Sequence, residues 1–400
     1  MRHAQTPPAI LLGGAETAVP TCRSLGRGGV PVIALGAKED PVRHSRYCSR
    51  YIEIDGGADI QEPWLEQLLG EPTPGVLIPL SDDGVELVAR NREALCARGY
   101  VPFHGADQVA LAMLDKSLAY EIATRAGVDT PHFAILREPG DIEAALEQVP
   151  VPCGVKPLEG HRFRARTGLY EKVIVMETRE QLRTAAEAWL GEGHPLMVTE
   201  VVGGADDRIY ALFTYIDETG SPAFTFTNRK LRQDPPHFGV GCYVMQEECP
   251  EIVEPGLRFL AEARLRGLAH VEFKRDPADE RFKLIECNPR INLSIGLLVA
   301  SGVDLPLFVY RRLRGEDPPP LSLRRRGLRL WHPLPDFRAM RVEREEGTLT
   351  TAAWLRSLLH RQRFTLFAID DPWPSVVVNS RTVAHLGGKA FSRRSAAAEA

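Results

Sequence analysis

The sequence predicts a mixed α/β and α+β protein, with a Rossmann-like parallel-sheet domain first, α+β units after it and a C-terminal extension. Three observations carry this reading. Over the first ~110 residues, short apolar runs alternate with helical patterns, which implies a parallel sheet with helices on its faces. Between residues 197 and 288 strand-like segments dominate, with one clear helix among them. From residue 316 the chain turns Pro- and Arg-rich, through Pro318-Pro319-Pro320 and Arg324-Arg325-Arg326. The chain has 400 residues; at about 150 per domain, that suggests two or three domains.

The elements follow in order. Ala9-Ile10-Leu11-Leu12 reads as a buried strand, Gly13-Gly14-Ala15 as a tight turn and Thr17 to Arg27 as a helix. Val30 to Leu35 is the next strand and completes a βαβ unit. Gly75 to Leu80 is a further strand that stops at Ser81-Asp82-Asp83, a helix N-cap. Ligands of such sheets lie beyond the carboxyl ends of the strands, here near Gly13, Gly14 and Ser81 to Asp83. Asp115-Lys116 opens a helix to about Ala126, with Gly127 as its C-cap. Val151 to Lys156 and Lys172 to Met176 are strands flanking a polar stretch, Glu159 to Thr167; Glu180 to Leu190 is a helix. Met197 to Val202, Asp207 to Ile216, Ala223 to Lys230, His270 to Lys274 and Phe282 to Asn288 read as mostly antiparallel strands. Pro255 to Arg266 is a helix with Pro in its first turn. One helix near 350–360 is expected in the extension, with Trp331, Trp354 and Trp373 as its core anchors, and Ser392 to Ala400 as a frayed tail.

Composition removes several function classes. The net charge is −4, which argues against a nucleic-acid or anionic-membrane footprint. No apolar run reaches the roughly 18 residues of a membrane span, and the N-terminus lacks a signal-peptide stretch. The seven cysteines are scattered without a C-x-x-C, so neither a disulfide framework nor a structural zinc site is expected. A reducing cytoplasm is the expected location. The turn after the first strand is not G-x-G-x-x-G, and no G-x-x-x-x-G-K-[ST] or G-x-S-x-G occurs.

The most informative segment runs from His270 to Arg290. Asp276-Pro277-Ala278-Asp279 is a turn, so its flanks form a β-hairpin. Alternation puts Glu286 with Asn288 on one face and Glu272 with His270 on one face. If Glu272 pairs near Leu284, then Glu272, Glu286 and Asn288 converge. Two carboxylates and an amide oxygen are hard ligands suited to Mg²⁺, whose octahedron phosphate and water complete.

Glu272-Phe-Lys with Leu284-Ile-Glu-Cys-Asn-Pro-Arg290 resembles the metal-binding signature of the ATP-grasp superfamily. The nearest likeness is to its bacterial carboxylate–amine ligase branch, which includes D-aspartate ligase-like proteins. The resemblance covers roughly residues 9 to 315. It implies the ATP-grasp fold, with an N-terminal α/β domain over 1–110, a small subdomain over 111–195, a large subdomain with the metal site over 196–315, and an extension over 316–400. It also implies ATP and Mg²⁺ (or Mn²⁺) as cofactors and a small-molecule carboxylate and amine as substrates, and it leaves a homodimer open.

The likeness carries over residue by residue. Lys116 and Lys156, in Gly154-Val155-Lys156-Pro157, match lysines that touch the ATP phosphates. Glu159 to Thr167, with His161, Arg162, Arg164 and Arg166, lies where the family has its phosphate-covering loop. Glu200 and Val202 lie at the adenine-binding hinge, and Asp207, or its neighbour Asp206, at the ribose position. Glu272, Glu286 and Asn288 match the metal ligands. Lys230 matches a lysine reaching toward the transferred phosphate, and Arg290 an arginine facing the γ-phosphate and acyl-phosphate. Arg232 and His237 to Gly241 follow in a loop that is equally well a substrate contact or plain surface. The implied reaction is ATP-dependent ligation through an acyl-phosphate. The alternatives are a phosphotransferase on the same fold and a non-catalytic nucleotide-binding module.

Overall fold

The computed structural model describes residues 6–54, 61–158 and 173–380. The polar stretch 159–167, the first residue of the expected strand from Lys172, and the tail from Ser392 lie outside the described residues.

The N-terminal sheet is built from β1 (Ala9–Leu12), β2 (Val32–Gly36), β3 (Arg50–Glu53) and β4 (Val76–Pro79), in the order β3-β2-β1-β4 and parallel throughout. Helices α1 (Ala18–Arg27), α2 (Gln61–Gly70), α3 (Asp82–Arg90) and α4 (Arg92–Ala97) belong to this part of the chain. The turn after β1 needs its glycines. Gly14 has a φ of 85°, and a Cβ there would meet the Cβ of Leu80 at 2.3 Å, so only glycine fits. Ser81 caps α3 by accepting from the Gly84 N–H, as its position before an acidic first turn predicts.

Helices α5 (Asp107–Leu114) and α6 (Lys116–Arg125) follow. Asp115 is the N-cap of α6 and accepts from the Ser117 N–H at 2.9 Å. A small antiparallel sheet is made of β5 (Phe133–Leu136), β6 (Cys153–Pro157), β7 (Ile174–Met176) and β8 (Leu196–Glu200), in the order β5-β8-β6-β7. Helices α7 (Ile142–Gln148) and α8 (Arg179–Gly191) pack on it around a core that includes Leu136, Leu146, Val155, Leu182 and Val198.

The largest sheet runs β13-β12-β9-β10-β11-β14-β15. Its strands are β9 (Ile209–Ile216), β10 (Pro222–Asp234), β11 (Val240–Gln246), β12 (Gly267–Arg275), β13 (Phe282–Asn288), β14 (Arg329–Trp331) and β15 (Gln362–Phe364). All neighbours are antiparallel except β14 and β15. One face carries Leu212, Val271, Phe273 and Leu284 and packs against α6 and α9 (Val253–Glu262). The other carries Phe213, Tyr215 and Phe226 and shares a core with Leu11, Val19 and Leu25 of the N-terminal domain. Helices α10 (Ile295–Ser301) and α11 (Leu305–Leu313) complete that core, and α12 (Pro333–Glu345) and α13 (Thr351–Ser357) follow β14.

Several boundaries differ from the expectation. Residue 110 falls inside α5, and Leu196–Glu200 pairs into the small sheet, although the sequence reading places residue 196 with the large unit. Strand periodicity marks Met197 to Val202 as a strand but does not say which sheet takes it. Strand β10 continues to Asp234, so Arg232 is a strand residue and not a loop residue. The extension supplies two strands to the large sheet and a second helix, α12. Trp331 and Trp354 both donate to Asp336, at 2.9 and 2.8 Å, but Trp373 is 61% exposed and anchors no core.

Candidate active site

The hairpin β12–β13 forms as expected, but its register differs. Glu272 pairs with Glu286 rather than near Leu284, His270 pairs with Asn288, and Phe273 pairs with Leu284. Ile285 is therefore an extra residue on β13, a β-bulge. The bulge resolves a conflict in the pattern. Leu284 and Cys287 both enter the core under α6 although they are three residues apart. Glu286 lies between them on the opposite face, directly across from Glu272. The Ile285 carbonyl accepts from the Tyr120 hydroxyl of α6 at 3.1 Å. Lys116 stands one turn before Tyr120, and the bond holds it over the same strand.

The acidic residues are held by lysines from two directions. Lys230 Nζ lies 2.9 Å from Glu272 Oε2, and Lys116 Nζ lies 3.0 Å from Glu286 Oε2. The Asn288 amide donates to Glu286 Oε1 at 2.7 Å, turning its carbonyl oxygen away from that carboxylate. Burial would raise the Glu286 carboxyl, but Lys116 and the Asn288 amide outweigh it and hold it well below the usual carboxylate range. The Lys116–Glu286 pair remains about a third exposed, at 35% and 36%, so both groups are reachable from the cleft. Lys156, on β6, is lowered from the ordinary lysine value, first by burial and then by the charge of Lys116 beside it. Two ammonium groups facing one cleft favour an anion between them.

His270 is 1% exposed, lies 3.7 Å from Glu272 and packs on the Phe213 ring at 4.3 Å. Burial lowers it to about 4, so at neutral pH it is an uncharged wall of the site. Arg290 donates from Nε to Asp82 at 2.6 Å. Asp82 begins α3 at the carboxyl end of the N-terminal sheet, so this pair crosses between domains. The sequence marks Ser81 to Asp83 as a ligand-facing end but does not link it to Arg290.

The other expected residues sit apart from this cluster. Glu200 ends β8 and accepts from Lys283 at 2.9 and 3.0 Å and from the His132 N–H at 3.0 Å. Lys283 also reaches Asp276 at 2.8 Å, which ties the small sheet to the hairpin turn. Sequence reasoning missed Lys283; it lies inside the hairpin singled out above, but its partners Glu200 and Asp276 are set by the fold and leave no local signal. Val202 is buried at 6% exposure. Asp207 lies in a single helical turn, Asp206–Arg208, ahead of β9 rather than beginning it, and pairs with Arg229 at 2.8 Å. Asp206 is buried and accepts from Gln233 at 2.8 Å and from the His237 N–H at 3.1 Å; it fastens the loop after β10, and Asp207 is the more exposed of the two. Arg232 is buried against Asp336 at 2.6 Å, so it is not plain surface.

Among the described residues, no cluster of three or more His, Cys, Asp or Glu side chains is arranged to cage a metal ion by itself. The donor set of Glu272, Glu286 and Asn288 is instead hard and incomplete. That fits a cation such as Mg²⁺, which takes one or two carboxylates and fills its remaining positions from phosphate and water.

Comparison with known proteins identifies relatives of the chain and of its fold. No protein-family model matches the chain. It is 24% identical over 322 residues to D-aspartate ligase of Enterococcus faecium, covering 75% of each chain. Its fold matches an L-amino acid ligase from Bacillus licheniformis, with a TM-score of 0.57 over 78% of this chain and 75% of that one, at 17% identity. It also matches N5-carboxyaminoimidazole synthetase from Staphylococcus aureus complexed with ADP, with a TM-score of 0.61 over 80% of each, at 15% identity. The chain has the ATP-grasp fold. In this ATP-grasp fold, ion pairs join Lys116 to Glu286 and Lys230 to Glu272, Asn288 donates to Glu286, and Lys156 is near enough to feel the charges of Lys116 and Glu286. No helix among the described residues is long and apolar enough to cross a membrane.

Proposed function

We propose that the cleft activates a carboxylate with ATP and transfers the acyl group to an amine. The chain is an ATP-dependent carboxylate–amine ligase, and its sequence relatives include D-aspartate ligase and D-alanine–D-alanine ligase. One observation carries the assignment of roles: paired carboxylates and lysines, Lys230–Glu272 and Lys116–Glu286, converge beside Asn288. When bound, Mg²⁺ (or Mn²⁺) neutralises charge on the phosphates. Glu272, Glu286 and the Asn288 carbonyl oxygen would hold it.

This chain's residues do the rest. Lys156 and Lys116 would leave their mutual repulsion for the phosphate oxygens. Glu200 and the backbone at Val202 would meet the adenine, and Asp207 the ribose hydroxyls. Lys230 and Arg290 would offset repulsion between the substrate carboxylate and the triphosphate. A carboxylate oxygen attacks the γ-phosphorus as ADP leaves, giving an acyl-phosphate. The amine then attacks the acyl carbon, and inorganic phosphate departs as the amide forms. The ligase relatives favour ligation over phosphotransfer.

The test uses hydroxylamine with ATP, Mg²⁺ and a panel of small acids. The expected result is a hydroxamate, with ADP and phosphate released in equal amounts. A stable phosphoester with no hydroxamate would make the enzyme a kinase on the same fold.

A further inference from the structure

A cavity of about 470 Å³ lies between the turn after β1 and the C-terminal extension. Glu16, His332 and Arg338 line it together with Phe364, Leu366 and Phe367. Two strands lead from it toward the candidate active site. Glu16 stands two residues beyond Gly14, at the end of β1. The adjacent strand β4 leads at the same end to Asp82, which holds Arg290. On the opposite wall, Arg338 donates to Asp234 at 2.9 Å, and Asp234 ends β10, the strand that carries Lys230. In open α/β sheets, ligands bind beyond the carboxyl ends of the strands; this cavity occupies that place.

The charges in it do not balance. Arg338 is already matched by Asp234. Burial lowers His332 to about 4, which leaves it neutral at pH 7. Glu16 has His332 Nδ1 at 3.4 Å, and among the described residues no hydrogen-bond donor closer than that faces its carboxylate. Burial pushes Glu16 up to about 7, against the pull of Arg338, as for a carboxylate that lacks a matching cation. Apart from Ser375 and Asn379, the remaining wall is hydrocarbon: Leu366 is buried, and the Phe364 and Phe367 rings meet edge to face at 6.0 Å. A ligand complementary to this lining carries one cation and an apolar body.

We propose that this cavity takes an amino-acid substrate with an apolar side chain, Glu16 receiving its ammonium group and Phe364, Leu366 and Phe367 its hydrocarbon. The inference rests on the ligase reading for the substrate's role. It separates this chain from its D-aspartate ligase relative, because an acidic side chain here would meet hydrocarbon and the Glu16 carboxylate, while Arg338 is already held by Asp234.

The test measures ADP release by the full chain with both enantiomers of leucine, phenylalanine and aspartate. Phe367→Asp and Glu16→Gln are compared with the parent. Leucine or phenylalanine should have a lower KM than aspartate. Phe367→Asp should raise the KM for the apolar amino acid about tenfold or more, with the KM for ATP unchanged. Glu16→Gln should do the same for leucine but not for 4-methylpentanoate, which lacks the ammonium group. Preference for aspartate, or an unchanged amino-acid KM in both variants, would overturn the proposal. If no acid stimulates ADP release, the ligase reading fails. The cavity is then tested by calorimetric titration of phenylalanine alone: binding to the parent that weakens about tenfold in both variants supports it, and no binding to the parent refutes it.

Discussion

At the scale of single residues, the site depends on carboxylates paired with lysines that a ligand can displace. Glu286→Gln keeps the size of the side chain and removes the charge that Lys116 and a cation both use. Mg²⁺-dependent ADP formation should fall by about 100-fold or more with an unchanged circular dichroism melt; near-parental turnover in the folded variant would remove Glu286 from the metal set. Lys156→Ala should weaken ATP binding by roughly 1.5–3 kcal/mol, as for a charge-assisted contact. Its thermal midpoint should not drop, because the parent lysine is already disfavoured by burial and by Lys116. Calorimetry that finds equal ATP affinity would return Lys156 to the role of a strand-end surface charge. The residue types and spacing around Glu286, Asn288 and Arg290 were legible in the sequence. The register was not: a bulge at Ile285 inserts a residue without changing composition or hydrophobicity, and a period of two then assigns Leu284 to the wrong face.

Among the elements, the first βαβ unit and the caps at Ser81 and Asp115 were legible because short-range rules decide them. Helix α12 was not. Its sequence, opening on Pro333-Leu334-Pro335, lacks a strong apolar stripe, and its place is set by Asp336, which is fully buried and bound by Arg232, Trp331 and Trp354. Long-range polar partners of this kind leave no periodic trace. The same helix carries Glu343, which burial pushes up to about 7, Arg232 opposing and Asp206 and Asp336 reinforcing. The folded carboxyl thus keeps its proton to a higher pH than the unfolded one, whose ordinary value is 4.5. Folding then binds protons, and stability falls as pH rises from 4.5 to about 7. Glu343→Gln should remove this slope. The variant should melt above the parent at about pH 8 and with it at about pH 4; parallel melting curves across that range would refute the assignment.

Taken whole, the molecule is closed by its last described segment. Asp371 is fully buried and accepts from Arg23 Nε at 2.8 Å, Ser45 Oγ at 2.7 Å and the Arg46 N–H at 2.9 Å. Beside it, Asp370 pairs with Arg27 at 2.7 Å. Asp371→Ala would leave the Arg23 guanidinium buried without its counter-ion, and denaturant unfolding should show a loss of roughly 3–5 kcal/mol. A loss below about 1 kcal/mol would mean that Arg23 is satisfied by the Leu366 and Asp371 carbonyls alone. The core that the N-terminal sheet shares with the large sheet also draws in Phe308, Leu330 and Leu366. That sharing sets an order on biosynthesis. The first strands to leave the ribosome cannot finish burying their inner face until a segment made more than three hundred residues later has emerged. The small sheet, with a core confined to residues 136–198, needs no such wait. During translation the middle of the chain can therefore fold before its beginning, and the nascent N-terminal sheet, with one apolar face still uncovered, is the part most in need of a chaperone.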